Sequence, residues 1–97
     1  IGDIVKHKYF NFRGVIYDVD FEFNNSEEWY RSIPKDVRPK KDQPFYHLLA
    51  ENNEITYEAY VSEQNLITDN SGEPVQHPLI NEIFSEKKGS AYYKRSN

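Results

Sequence analysis

The chain has no cysteine, no methionine and only four glycines in 97 residues. Without cysteine there is no disulfide and no thiolate metal site, a composition compatible with a reducing cytosol. Four glycines are a poor supply for a phosphate-cradling loop, which needs backbone amides free of side chains. No apolar run approaches the roughly 20 residues of a membrane-spanning helix, and no secretory leader is visible. Methionine is missing even at position 1, so Ile1 is not expected to be the translated N-terminus. Positive charge is missing locally: residues 51–86 hold eight Asp/Glu and no Lys or Arg. Such a stretch cannot supply a phosphate-binding surface. A polyanion must meet either the first 50 residues, where eight bases balance eight acids, or residues 87–97, with four bases and no acid.

What the chain does have is rings: aromatics make up 15% of it. A chain of this length forms one domain and buries roughly 60–65% of the surface it exposes unfolded. Large rings then supply core area economically. Gly2-Asp3 leads into a short strand at Ile4-Val5, and Tyr9–Phe12 reads as a turn. Arg13 to Phe23 alternates, with Val15, Tyr17, Val19, Phe21 and Phe23 on one face and Asp18, Asp20 and Glu22 on the other. Ile16 breaks the alternation, as expected where a strand bends or both its faces are covered. Residues 24–41 are an insertion loop with a short helix, capped by Asn24-Asn25-Ser26 ahead of Glu27–Tyr30 and limited by Pro34 and Pro39. Phe45–Ala50 is a strand, Glu51–Glu54 a tight turn and Ile55–Val61 its hairpin partner. A helical or 3₁₀ turn at Ser62–Asn65 precedes a closing strand at Leu66-Ile67. Pro78–Phe84 is a short helix with Leu79, Ile80, Ile83 and Phe84 on its apolar face, and the chain is expected to fray from Gly89. The fold class expected is all-β: a small SH3-like antiparallel barrel of about five strands, with a loop/short-helix insertion and a short C-terminal helix. An OB-fold, with longer and more even strands, fits the spacing less well. The domain is expected over residues 1–88, its core over 2–67, with a disordered tail at 89–97.

No catalytic constellation is visible. His7, His47 and His77 lack any metal-ligand spacing, so neither a metal nor a cofactor is expected. His47 reads as a hydrogen-bonded residue at the core edge. His7, between Lys6 and Lys8, reads as surface polar or as a nucleic-acid contact. Asp18, Asp20 and Glu22 form either a solvated strand face or a cation-attracting cluster. No nucleophile elbow or kinase-like set appears, so the chain reads as non-enzymatic. Two groups are candidates for binding. Trp29 and Tyr30 are partner-binding anchors, unless Trp29 folds back over the open end of the barrel. Lys6, His7, Lys8 and Arg13, with Lys35, Arg38, Lys40 and Lys41, are candidate nucleic-acid contacts if the insertion folds beside the first turn. Otherwise these side chains are a solvated loop.

Gly2-Asp3-Ile4-Val5-Lys6-His7, the segment Arg13 to Asp20, a Trp-bearing insertion, Gln43-Pro44-Phe45-Tyr46-His47-Leu48-Leu49 and the segment Ala59 to Leu66 form an ordered series. That series resembles the HspQ family, also called the YccV-like or hemimethylated-DNA-binding domain, from Gly2 to about Ile67. The resemblance implies a small bacterial, cytoplasmic β-barrel that binds hemimethylated DNA. It also implies a heat-shock-linked adaptor that promotes protein degradation by an ATP-dependent protease, and self-association into a homo-oligomer. The same domain occurs fused to other modules in eukaryotes. It brings no catalytic residues, and nothing in the chain points to a membrane. A protein-only interaction module, Tudor-like or another SH3-like barrel, is the alternative; Tyr9, Tyr46, Tyr57 and Tyr60 would supply the rings of an aromatic cage.

Overall fold

The structure is a computed structural model that describes residues 1–94. Five strands form one antiparallel sheet: β1 (Ile4–His7), β2 (Arg13–Asp20), β3 (Phe45–Glu51), β4 (Thr56–Ser62) and β5 (Leu66–Thr68). Their order is β4-β3-β2-β1-β5. Neighbours in sequence pair in space until a 3₁₀ turn at Glu63–Asn65 returns the chain to β1. The Glu51–Glu54 turn forms because the Asn52 carboxamide oxygen accepts from the Glu54 and Ile55 amides at 2.8 and 2.9 Å. That local bond replaces ladder pairing and lets the chain reverse.

Both sheet faces are buried, which is why β2 and β3 carry consecutive apolar residues. On one face Val5, Ile16, Leu48, Ala50 and Val61 cluster, flanked by Phe12, Tyr46, Tyr57 and Leu66. On the other, Ile4, Val15 and Leu49 meet Val75, Ile80, Phe84 and Tyr92 from the C-terminal segment. Ile16 therefore fits the covered-face reading. Gly14 is required where β2 crosses β3, because a Cβ there would stand 2.7 Å from the Leu49 carbonyl oxygen.

Between β2 and β3 lies helix α1 (Glu27–Ser32). The Ser26 hydroxyl accepts from the Trp29 amide at 3.0 Å and starts it, and Glu27 and Glu28 sit favourably in its first turn. Ile33 is already extended and Pro34 follows, so the helix stops. Helix α2 (Ile80–Ile83) is shorter than the expected Pro78–Phe84: it presents Ile80 to the core with Leu79 and Ile83 packed beside it, and Phe84 opens the following strand instead.

Several expectations need correction. The β2 strand ends at Asp20, not Phe23, and Phe21 is 88% exposed. Alternation in β2 is also interrupted: Ile16 faces Leu48 but Asp18 faces His47, so Tyr17 is an extra residue. This bulge turns Asp18 and Asp20 onto the face of Val15 and Leu49, and Val19 onto the face of Tyr46. Ile55 lies outside β4 and is exposed. Nor does the chain fray at Gly89. Strands β6 (Phe84–Lys88) and β7 (Ala91–Lys94) form a second, two-stranded antiparallel sheet. The core accordingly continues past residue 67, with Phe84 1% and Tyr92 8% exposed. The last part of the expected tail, 95–97, lies outside the described residues. The hairpin is fastened to the chain start: Ile4 N–H donates to the Ser90 carbonyl at 3.0 Å, and Tyr92 N–H to the Gly2 carbonyl at 2.6 Å.

Candidate binding surfaces

The insertion is a folded unit laid against the sheet. The Phe23 amide donates to the Lys41 carbonyl at 2.9 Å, closing its two ends. The Tyr30 hydroxyl donates to the Pro39 carbonyl, and the Asn65 side-chain amide to the Val37 carbonyl at 2.9 Å. The insertion does fold near the first turn, which was the condition for a shared basic surface. Between them lies an aromatic cleft of about 310 Å³. Phe10 and Phe12 of the first turn, Trp29, Pro34 and Val37 of the insertion, and Tyr57 and Tyr60 of β4 line it. A second, polar hollow of about 410 Å³ adjoins it, sharing His7, Phe10 and Phe12, and is lined further by Lys6, Lys8, Asn11 and Asn52.

The eight candidate nucleic-acid contacts divide evenly. Lys6, Lys8, Lys35 and Lys40 are exposed. The other four have partners within the fold, although Lys41 is itself exposed. Arg13 donates to Asp69 and Glu51, both at 2.8 Å, and to the carbonyls of Glu73 and Pro74. Arg38 donates to the Ile33 and Arg31 carbonyls and lies over the Tyr30 ring. Lys41 pairs with Glu27 and lies over Phe23 and Tyr30. His7 is buried, and its Nδ1 accepts from the Tyr9 and Phe10 amides at 3.0 and 3.1 Å. Burial lowers its pKa, so the ring organises the turn as a neutral acceptor. Charge alone marked these residues in the sequence; their partners lie up to 61 positions away.

Trp29 and Tyr30, the candidate anchors, are half-buried and face different ways. Trp29 stacks on Phe23 at 5.9 Å and meets Tyr60 edge-on at 5.4 Å. Tyr30 turns inward to Pro39 and Lys41. The four cage tyrosines are not brought to one place. Tyr57 and Tyr60 line the cleft, whereas Tyr9 is exposed beside His7 and Tyr46 packs on the Ile16 face.

A polar network joins residues whose pairing the sequence did not show. Because of the bulge at Tyr17, Asp20 lies beside β3 and β4: its carboxylate accepts from Tyr60 at 2.7 Å and contacts His47 Nε2 at 3.1 Å. The Tyr60 bond holds the Asp20 carboxyl below its ordinary range; burial opposes this and His47 assists it. Burial, aided by the carboxylates they bond, pushes Tyr17 and Tyr60 up to about 12. Asp18 is exposed and accepts from the Val19 amide, so only one of the three strand carboxylates is built into a network. His47 is hydrogen-bonded at the core edge, as expected. No group of three potential metal ligands gathers among the described residues, and none of their helices is long and apolar enough to cross a membrane.

A small, mostly antiparallel β domain with an aromatic cleft and several exposed lysines offers surface for binding. The family profile described as "Hemimethylated DNA-binding protein YccV like" matches residues 1–91, and the chain belongs to this YccV-like family. Among curated proteins it resembles F-box only protein 21 of Homo sapiens and of Pongo abelii, each 33% identical over 93 residues, and of Mus musculus, 32% identical over the same length. The match takes in 95% of this chain but only 14% of each relative. No solved structure gives a significant match.

Proposed function

We propose that this domain is a non-enzymatic module that binds hemimethylated DNA. Membership of the YccV-like family across residues 1–91 carries this reading. Two structural features support it. An adenine methyl group stands in the major groove, so reading it takes an apolar contact together with phosphate contacts that fix register. Here the aromatic cleft adjoins the hollow bearing Lys6 and Lys8, and Lys35 follows Pro34 on the cleft wall. Phe10 and Phe12 would meet the methyl group, while Lys6, Lys8, Lys35 and Lys40 take phosphates. The sheet order supports closure into a strongly bent SH3-like barrel, and a cytoplasmic location accords with the absence of cysteine. The test compares unmethylated, hemimethylated and fully methylated duplexes of one sequence across a salt series. Preference for the hemimethylated duplex is expected; equal affinity for all three, or binding indifferent to salt, overturns the reading.

A second reading, an adaptor promoting degradation by an ATP-dependent protease, is favoured by the aromatic cleft with Trp29 in its wall, since Trp and Tyr dominate protein interfaces. It extends to a partner protein and to self-association. Its test is the degradation rate of a model substrate with and without the domain. An unchanged rate and substrate range would remove it. The low coverage of the F-box only protein 21 relatives fits one module working within a longer chain.

A further inference from the structure

One hollow shares Trp29 and Tyr60 with the aromatic cleft but contains none of the residues proposed to touch DNA. It measures about 290 Å³ and is lined by Tyr17, Asn25, Trp29, His47, Glu58 and Tyr60. Its walls are rings: Trp29 lies 5.4 Å from Tyr60, Tyr60 4.7 Å from His47, and His47 5.9 Å from Tyr17. One carboxylate, Glu58, lines the hollow, and a second, Asp20, is bonded to two of its rings, Tyr60 and His47. Glu58 accepts from the Tyr17 hydroxyl at 2.7 Å, and Asp20 from the Tyr60 hydroxyl. Among the described residues neither is paired with a lysine or arginine, and no cation lies over Trp29, Tyr17 or Tyr60. Ring faces and carboxylates together make a negative potential that attracts a cation.

The same aromatic cluster already holds one. On its other side the Lys41 ammonium lies 4.5 Å from the Tyr30 centroid and 5.5 Å from that of Phe23, paired with Glu27. Phe23 stacks on Trp29, so the two sides share a wall. One side thus carries two rings, a carboxylate and the chain's own lysine. The Trp29 side carries rings and carboxylates with no lysine of its own among the described residues.

We propose that the hollow between Trp29, Tyr60, Tyr17 and Glu58 binds a lysine ammonium presented by a basic segment of a partner protein. Charge complementarity sets the kind of partner. Strand β4, which supplies Glu58 and Tyr60, lies in the 51–86 stretch that has eight acids and no base. That surface draws a basic polypeptide and repels a DNA phosphate, so the inference stands apart from DNA binding.

Trp29 is the only tryptophan, so its fluorescence reports on the site directly. The intact chain is titrated with a Gly/Ser-rich peptide bearing lysines and with the same peptide carrying norleucine instead. A saturable change is expected with lysine, and binding weaker by about fivefold or more with norleucine. Glu58→Gln, which keeps an oxygen for the Tyr17 bond, should weaken the lysine peptide and leave affinity for a hemimethylated duplex unchanged. Equal binding of the two peptides, no saturation with lysine, or an unaffected Glu58→Gln variant each overturns the proposal. Methylamine binding as tightly as the peptide overturns the protein source, and loss of duplex binding in Glu58→Gln overturns the separation from DNA.

Discussion

At the scale of residues, Arg13 shows how charge alone misleads. Its guanidinium ties β2 to β3 through Glu51, to Asp69, and to the 73–74 backbone, so it spends its donors on holding the 69–75 loop. Arg13→Met leaves Asp69, with a side chain 7% exposed, without its cation. The expected cost is about 2–4 kcal/mol, read from urea unfolding. Burial raises the Asp69 carboxyl, but its bonds from Ser71 and Arg13 outweigh this and leave the pKa below 3.8. A carboxyl depressed in the folded state stabilises fully above its unfolded pKa, and the gain drains away as pH falls through the folded value. Stability should therefore drop on acidification below about pH 4, and more shallowly in Arg13→Met. His7 obeys the same sign for a different reason. Burial depresses its pKa from 6.5, so its contribution is complete above 6.5 and declines as pH falls through the lower folded value. An NMR titration of the imidazole should give a midpoint below 6.5; a midpoint above it would mean that His7 is held as a cation after all.

At the scale of elements, the C-terminal hairpin carries more of the core than its composition advertises. Tyr92 packs on Phe84 at 5.7 Å, and its hydroxyl accepts from the buried Val75 amide at 3.1 Å. Tyr92→Ala should cost about 3–5 kcal/mol by thermal or urea unfolding, and Tyr92→Phe about 1 kcal/mol for the single lost bond. Gly2 sits at φ 93°, where an added Cβ would fall on the Tyr92 carbonyl, so Gly2→Ala should loosen the same joint. The sequence revealed those elements whose partners are close by. The Tyr9–Phe12 turn, the Asn52 hairpin and the Ser26 cap all rest on residues within a few positions, and each was legible. The hairpin was not, because Lys87, Lys88 and Lys94 dilute its pattern and its partner is the distant Gly2. The β2 bulge was hidden for another reason. Tyr17-Asp18-Val19-Asp20 alternates perfectly in sequence, and only the register against β3 shows that one residue is extra. That residue moved Asp20 to the face opposite the one expected and so concealed the network with His47 and Tyr60. Of the candidate site, the cations were legible as a set, but not their division into free and engaged members, which depends on tertiary partners.

At the scale of the whole molecule, charge limits what DNA binding can look like. The net charge is −4, and of the eight candidate residues four are exposed lysines with no side-chain partner among the described residues; Lys41 is exposed too but paired with Glu27. Each neutralised phosphate contributes a slope of about −0.9 to log K against log salt, so one domain should show a slope no steeper than about −4. A steeper slope would require several copies acting together, which sedimentation at the same concentrations would reveal. The pairing of β7 with the chain start also has a topological consequence. Asp3 bridges Ala91 and Gly2 bonds Tyr92, so the two ends of the described residues lie side by side. Such a unit can be spliced into a longer chain without prising its flanks apart, as a bead is tied on by a single knot. It should equally tolerate rearranged connectivity: joining residues 1 and 94 through a short Gly/Ser linker and opening the chain at Asn53 should give a circular permutant that folds with the same core.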